Sequence, residues 1–217
     1  MPQISRTSFN QSQLVRLLSD LQVAEVADSP QTVAERLSQW VGWTDSIAVA
    51  DILAGLDHAP PRRTPRAGSR TSAADDAARL RADLARDISA DPLLADADAA
   101  DRASCRACYL AHQQSMQGRI TALRDKLRTT LALRSAELGQ LAALDAAFER
   151  ALAARERQSL GAIPALLDKA FAQAPAAGSP DAIGPTMQRL LLAELELRMS
   201  PIDGMIDALA EQAGTPS

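Results

Sequence analysis

Cys105, Cys108 and His112 come nearest, by type and spacing, to a group that could do chemistry. They read C-x2-C-x3-H, and at about 100° per residue a helix carries all three near one face. Thiolate and imidazole are zinc ligands, and the other histidine, His58, would complete a Cys2His2 set. Structural zinc sites draw their ligands from a turn and a second element, whereas His58 stands in a proline- and arginine-rich stretch. Two small buried cysteines beside a surface histidine is the simpler reading. A redox C-x-x-C opens a helix after a strand, but this pair lies inside a helical pattern with no strand pattern near it. The expectation is no metal ligand, no cofactor and no catalytic residue.

Other chemistry finds less support. The acidic run Asp96 to Asp101 invites a calcium loop, but the sixth and twelfth positions are Asp101 and Ala107 where glycine and a bidentate glutamate are needed. It reads as a solvated turn. No glycine-rich phosphate loop, no G-x-S-x-G and no H-E-x-x-H occurs. With two histidines an ordinary hydrolase or transferase is hard to assemble, so an enzyme is not expected.

Charge is distributed in blocks. The formal net charge is −4, and lysine occurs only at Lys126 and Lys169. Residues 73–101 carry three Arg against eight Asp, and residues 102–173 carry eleven bases against six acids. The plain explanation is that an acidic helix packs antiparallel on a basic one. The sharper one is a basic surface for nucleic acid or an anionic partner, built from Arg119, Arg124, Lys126 and Arg128 together with Arg62, Arg63, Arg66 and Arg70. The first 57 residues carry three Arg against seven acids, which argues against a DNA-docking helix–turn–helix.

The elements that would position these residues are helices. Hydrophobic residues make up 47% of the chain and aromatics 3%, with Ala and Leu dominant and no period-2 run, so the fold class is all-α. A small N-terminal three-helix unit is expected over 7–57, with a first stripe of Leu14, Leu17, Leu18 and Leu21 and a third helix burying Ile47, Ala48 and Ile52. A disordered Pro/Arg-rich linker follows over 58–72. Residues 73–174 read as long helices forming a hairpin or bundle. Ser72 opens the first, whose Leu80, Leu84 and Ile88 share a face until Asp91-Pro92 ends it. A second pattern starts near Ala99 with Tyr109, Met116, Ile120, Leu123, Leu127 and Leu131, and continues through Leu138, Leu141, Leu144, Phe148 and Leu152. If unbroken over 99–158 it is one rod; a cap at Ser135 makes it a hairpin, the favoured alternative. A linker over 175–185 precedes two C-terminal helices within 186–213, the second opened by Ser200-Pro201 and the pair packed on the bundle.

Both tryptophans fall in Ser29 to Asp45. Ser29 is a good N-cap, Pro30 suits the first helical position, and Gly42 suits a helix end. Trp40 and Leu37 lie on the apolar face and Trp43 follows the reversal, so Leu37, Trp40 and Trp43 are the candidate interaction residues.

Three blocks carry a resemblance: AERLSQWVGWTDSIAVADIL from Ala34 to Leu53, LAALDAAFERALAARERQSLGAIPALL from Leu141 to Leu167, and LLLAELELRMSPIDGMIDAL from Leu190 to Leu209. With them the chain resembles an uncharacterised proteobacterial family known only as a domain of unknown function, over its whole length apart from the linkers. The resemblance implies no activity, cofactor or catalytic residue. Its members tend to lie beside genes for a coiled-coil membrane protein and an OmpA/MotB-like peptidoglycan-binding protein. Around Ser104 to Tyr109 the family pattern is more aromatic and lacks this cysteine pair.

The expected function is a non-catalytic helical interaction protein, a cytoplasmic adaptor or subunit of an envelope-associated assembly. Its partner would be another protein or a second copy of the chain, met through a coiled-coil-like face. The alternative is a nucleic-acid or anionic-surface binder. There is no basic segment followed by an apolar one and no run of 18 apolar residues, so neither a signal peptide nor a membrane span is expected.

Overall fold

Asp91-Pro92 and Ser135 are the punctuation that shapes the middle of the chain. The computed structural model describes residues 13–21, 47, 49–52, 54, 70–95, 102–173 and 183–214, and no strand occurs among them. The fold is all-α. Its helices are α1 (Gln13–Asp20), α2 (Arg70–Ser89), α3 (Pro92–Ala95), α4 (Arg102–Arg134), α5 (Ala136–Gly161), α6 (Ile163–Gln173) and α7 (Ile183–Gly214). Most of the expected three-helix unit over 7–57 and of the linkers over 58–72 and 175–185 lies outside the described residues, as do Ala48 and Asp96 to Asp101. Two compact units result. One comprises Met1–Asp28, Leu84–Ser115 and Ala162–Arg198; the other comprises Ser29–Asp83, Met116–Gly161 and Met199–Ser217.

In the second unit the chain turns at Ser135. Its Oγ accepts the Leu138 N–H at 3.2 Å and its carbonyl accepts the Gly139 N–H at 3.0 Å, so one serine caps α5 as α4 ends. The arms are antiparallel, since Arg124 and Arg128 of α4 reach back to Asp145 and Glu149 of α5. Leu127 and Leu131 are buried on α4, and Leu138, Ala142 and Ala147 on α5. The leucine stripe expected on α5 takes a lesser place: Leu141, Leu144, Phe148 and Leu152 are only half-buried. The inner seam of α5 is Leu138, Ala142, Asp145 and Glu149, at spacings of four, three and four. Asp145 and Glu149 on this seam meet Arg124 and Arg128 of α4.

The acidic α2 lies antiparallel to the basic α4 in this unit. Lys126 Nζ is 2.6 Å from Asp76 and Arg119 is 3.8 Å from Asp83. Arg81 grips both oxygens of Asp203 on α7 at 2.9 and 2.6 Å, and Gln212 donates to Ser135 Oγ at 2.6 Å. In the first unit the buried side chains include Leu84 and Ile88 of α2, Leu94 of α3, Tyr109 of α4, Ile163 and Leu167 of α6, and Met187, Leu190 and Leu191 of α7. Gln188 donates to the carbonyls of Ile88 and Ser89 at 3.3 and 3.1 Å, satisfying acceptors that the end of α2 leaves open.

Three expectations need correction. The two C-terminal helices are one, with Pro201 inside it. An interior proline costs about 3 kcal/mol. Leu191, Leu195, Met199, Ile202, Met205 and Leu209 form an unbroken buried stripe across it, and burying a side chain of this kind contributes roughly 1.5–3 kcal/mol. Continuous burial outweighs the lost hydrogen bond. Second, Ile47 is 49% exposed while Val49 and Ile52 are half-buried. At about 100° per residue Ile47 stands roughly 140° from Ile52, too far to share its face. Third, α2 begins at Arg70, two residues ahead of the expected cap at Ser72. In α1, Leu14 is buried and Leu17 and Leu18 are half-buried beside it, with Leu21 half-buried just past the helix end, as the expected stripe requires.

Candidate functional site

Between Cys105 and Gln113, α4 enters two polar networks, both within the first unit. The first begins with Asp91, which caps α3. Its Oδ1 accepts the Leu93 N–H at 2.9 Å, and its carbonyl accepts the N–H groups of Leu94 and Ala95 at 3.1 and 3.0 Å. Pro92 has no N–H to satisfy at the first helical position. The cap fixes the carboxylate, and its other oxygen meets α4. Cys108 Sγ–H donates to Asp91 Oδ2 at 3.1 Å, and His112 Nε2 lies 2.9 Å from the same atom. Cys108 and His112 are four residues apart, one turn of helix. One atom from each of the three residues falls within 4.8 Å of the others. Cys108 is buried, whereas the side chains of His112 and Asp91 keep 14% and 22% exposure.

The electrostatics follow from that geometry. Burial pushes the Cys108 thiol up to about 12, and the hydrogen bond to Asp91 and that carboxylate's charge push the same way. Burial opposes ionisation of Asp91, but the Cys108 thiol, His112 and the Leu93 N–H outweigh it and hold the carboxyl below its ordinary value. An activated thiol nucleophile needs the imidazole between thiol and carboxylate, so that the base can take the proton. Here the carboxylate stands in the middle and the thiol keeps its proton. As ligands, the sulfur, nitrogen and oxygen lie within 4.8 Å of one another and are of the types a divalent transition metal takes.

The second network surrounds Glu194 of α7, which has 0% exposure. Gln113 Nε2 donates to it at 2.8 Å, the Tyr109 hydroxyl at 3.3 Å and Arg198 Nε at 2.8 Å. Burial raises the Tyr109 hydroxyl far above its ordinary range, and the charge of Glu194 adds to the rise. Tyr109 and Gln113 sit one turn apart on α4, and Glu194 and Arg198 one turn apart on α7, so two helices are fastened by one carboxylate.

The residues singled out from sequence divide among three fates. Cys108 and His112 do come together, but their third member is Asp91. Cys105 Sγ is directed to the Leu93 carbonyl at 3.8 Å instead. Arg124 and Arg128, read as candidate basic surface, have side chains only 13% and 14% exposed against Asp145 and Glu149. Arg124 Nε and Nη2 contact both oxygens of Asp145 at 2.8 and 2.5 Å. Burial opposes ionisation of Asp145, yet Arg124 and Arg128 hold it below its ordinary value. Their charge is spent inside the hairpin, because its seam brings them against carboxylates. Arg119 and Lys126 are more exposed and pair with Asp83 and Asp76. Arg70 is the first residue of α2. Leu37, Trp40, Trp43, His58, Arg62, Arg63 and Arg66 lie outside the described residues. Asp91 escapes a sequence search because Asp-Pro reads as the end of a helix, and the carboxylate is 17 residues from its thiol partner. The available signal is that Asp-Pro also opens a helix, which fixes the carboxylate.

The family model described as Protein of unknown function (DUF3348) matches residues 1–182. The chain belongs to this family. The DUF3348 match includes the block from Ala34 to Leu53, the block from Leu141 to Leu167, and all of Asp91, Cys108 and His112. It ends before the block from Leu190 to Leu209, so similarity expected over nearly the whole chain extends to residue 182. The curated proteins and the solved structures gave no match.

Proposed function

We propose that this DUF3348 protein is a non-catalytic helical interaction protein, a cytoplasmic adaptor or subunit of an envelope-associated assembly. The observation that carries this reading is the commitment of its polar groups. Asp91, Asp145, Glu149 and Glu194 each hold helices of their own unit together, and the Cys108 thiol is held protonated. Groups wired in this way position helices and leave no poised acid–base pair among them. Leu133, beside the turn at Ser135, is 69% exposed, and Leu93, Leu110 and Leu197 are 40–45% exposed, which gives apolar side chains for a protein partner. Among the described residues no helix is long and apolar enough to cross a membrane.

The test is capture of the tagged chain from its native cells after gentle crosslinking and membrane solubilisation, read by mass spectrometry. Envelope proteins should be recovered, and Trp43→Ala should reduce their recovery while circular dichroism shows helicity retained. Recovery dominated by nucleic-acid-bound proteins, lost on nuclease treatment or steeply with salt, would replace this reading with nucleic-acid binding through Arg62, Arg63, Arg66 and Arg70.

A further inference from the structure

We infer that Asp91, Cys108 and His112 form a binding site for a single divalent transition-metal ion of the zinc class. The three residues offer one oxygen, one sulfur and one nitrogen, the donor set that zinc takes. In a tetrahedral site such donors stand roughly 3.3–3.6 Å apart, from metal distances of about 2.0–2.3 Å. Here sulfur to oxygen is 3.1 Å, nitrogen to oxygen 2.9 Å, and all three atoms lie within 4.8 Å of one another. Shifts of a few tenths of an ångström in the two contacts to oxygen bring them to that spacing. The ligands come from a turn and a second element: Asp91 from the α2–α3 corner, Cys108 and His112 from successive turns of α4. A turn and a second element thus supply the ligands without recourse to His58. Asp91 is held from behind by its bond to the Leu93 N–H, the outer support that orients a ligating carboxylate.

Charge also favours the ion. Without metal the group sets a carboxylate and a thiol beside the imidazole at a site that is partly buried. Binding M²⁺ releases the Cys108 proton to solvent and requires the ring proton that faces Asp91 on Nε2 to be carried on Nδ1 instead, and the thiolate and carboxylate together balance the charge of the ion. Three protein ligands leave a fourth position, which a water fills from the side on which His112 and Asp91 remain accessible. Cys105 takes no part.

The experiment uses the full chain, reduced and freed of metal, titrated with Co²⁺ and then with Zn²⁺. Wild type should bind one Co²⁺ with a thiolate-to-cobalt charge-transfer band in the near ultraviolet, displaced by one equivalent of Zn²⁺. Cys105→Ser should keep the band. Asp91→Asn, Cys108→Ser and His112→Gln should each weaken binding by about a hundredfold or more, because even outer partners of a ligand cost ~10–100-fold. A second readout needs no variant: Zn²⁺ should protect Cys108 of the wild type from alkylation, located by peptide mass spectrometry. Absence of a one-to-one cobalt band in wild type overturns the site. So does a band that survives Cys108→Ser or is lost in Cys105→Ser, or alkylation of Cys108 at the same rate with and without Zn²⁺.

Discussion

Changing Glu194 to glutamine removes the negative charge from a side chain with 0% exposure while leaving Arg198, itself 8% exposed, in place. Arg198 Nε and Nη2 each lie 2.8 Å from the carboxylate, so the guanidinium has its counter-ion at contact distance and little water. Breaking a buried pair from one side costs about 3–5 kcal/mol, because the remaining charge loses its counter-ion where water does not replace it. Glutamine does not soften this. It keeps one accepting oxygen and can donate its NH2 to the Tyr109 hydroxyl, but it supplies no negative charge to Arg198. At a urea slope of ~2–3 kcal/mol per molar, the midpoint should fall by roughly 1.5 M, followed by circular dichroism. The double variant Glu194→Met with Arg198→Met removes both charges. It takes one acceptor from Tyr109 and one from Gln113 but leaves no charge buried, and replacing a buried ion pair by apolar side chains of similar size is often neutral or stabilising. It should therefore be more stable than the single variant. A loss below about 1 kcal/mol for Glu194→Gln, or a double variant no better than the single, would refute the argument that Glu194 neutralises a desolvated arginine.

Asp145 is held below its ordinary pKa of 3.8 by Arg124 and Arg128, so its contribution is complete above that value and fades as pH falls through the folded one. The stability gap between wild type and Asp145→Asn should be widest near pH 7 and shrink below pH 3.8; denaturant melts showing a constant gap down to pH 2 would contradict this. Gly118 and Gly204 lie inside helices with nothing within 4 Å of the point an added methyl group would occupy, so Gly118→Ala and Gly204→Ala should each raise stability by about 0.5–1 kcal/mol in the same assay.

The helical class was legible because Ala and Leu recur at helical spacing with few strand formers between them. Ser135 was legible for a local reason: a serine cap with Glu137 in the next turn breaks a long pattern whatever surrounds it. Pro201 misleads by the same local logic. Its cost is visible in the sequence, but the stripe that offsets it gains its value only from burial. Arg124 and Arg128 look like surface for an equivalent reason, since the carboxylates that bury them arrive 17 to 25 residues later on another helix. At the candidate site, spacing on α4 revealed Cys108 and His112, and only the fold could replace Cys105 with Asp91. Nothing in a helical period tells which neighbouring corner supplies a third ligand.

The ties that complete each unit also impose an order on biosynthesis. The hairpin of α4 and α5 closes over contacts 17 to 25 residues apart, so it can form soon after it leaves the ribosome. The open carbonyls of Ile88 and Ser89 wait for Gln188, about a hundred residues downstream, and Arg81 waits for Asp203, 122 residues away. At roughly 5–20 residues per second, the end of α2 spends several seconds without the Gln188 side chain that later satisfies its carbonyls, and water must serve them until then.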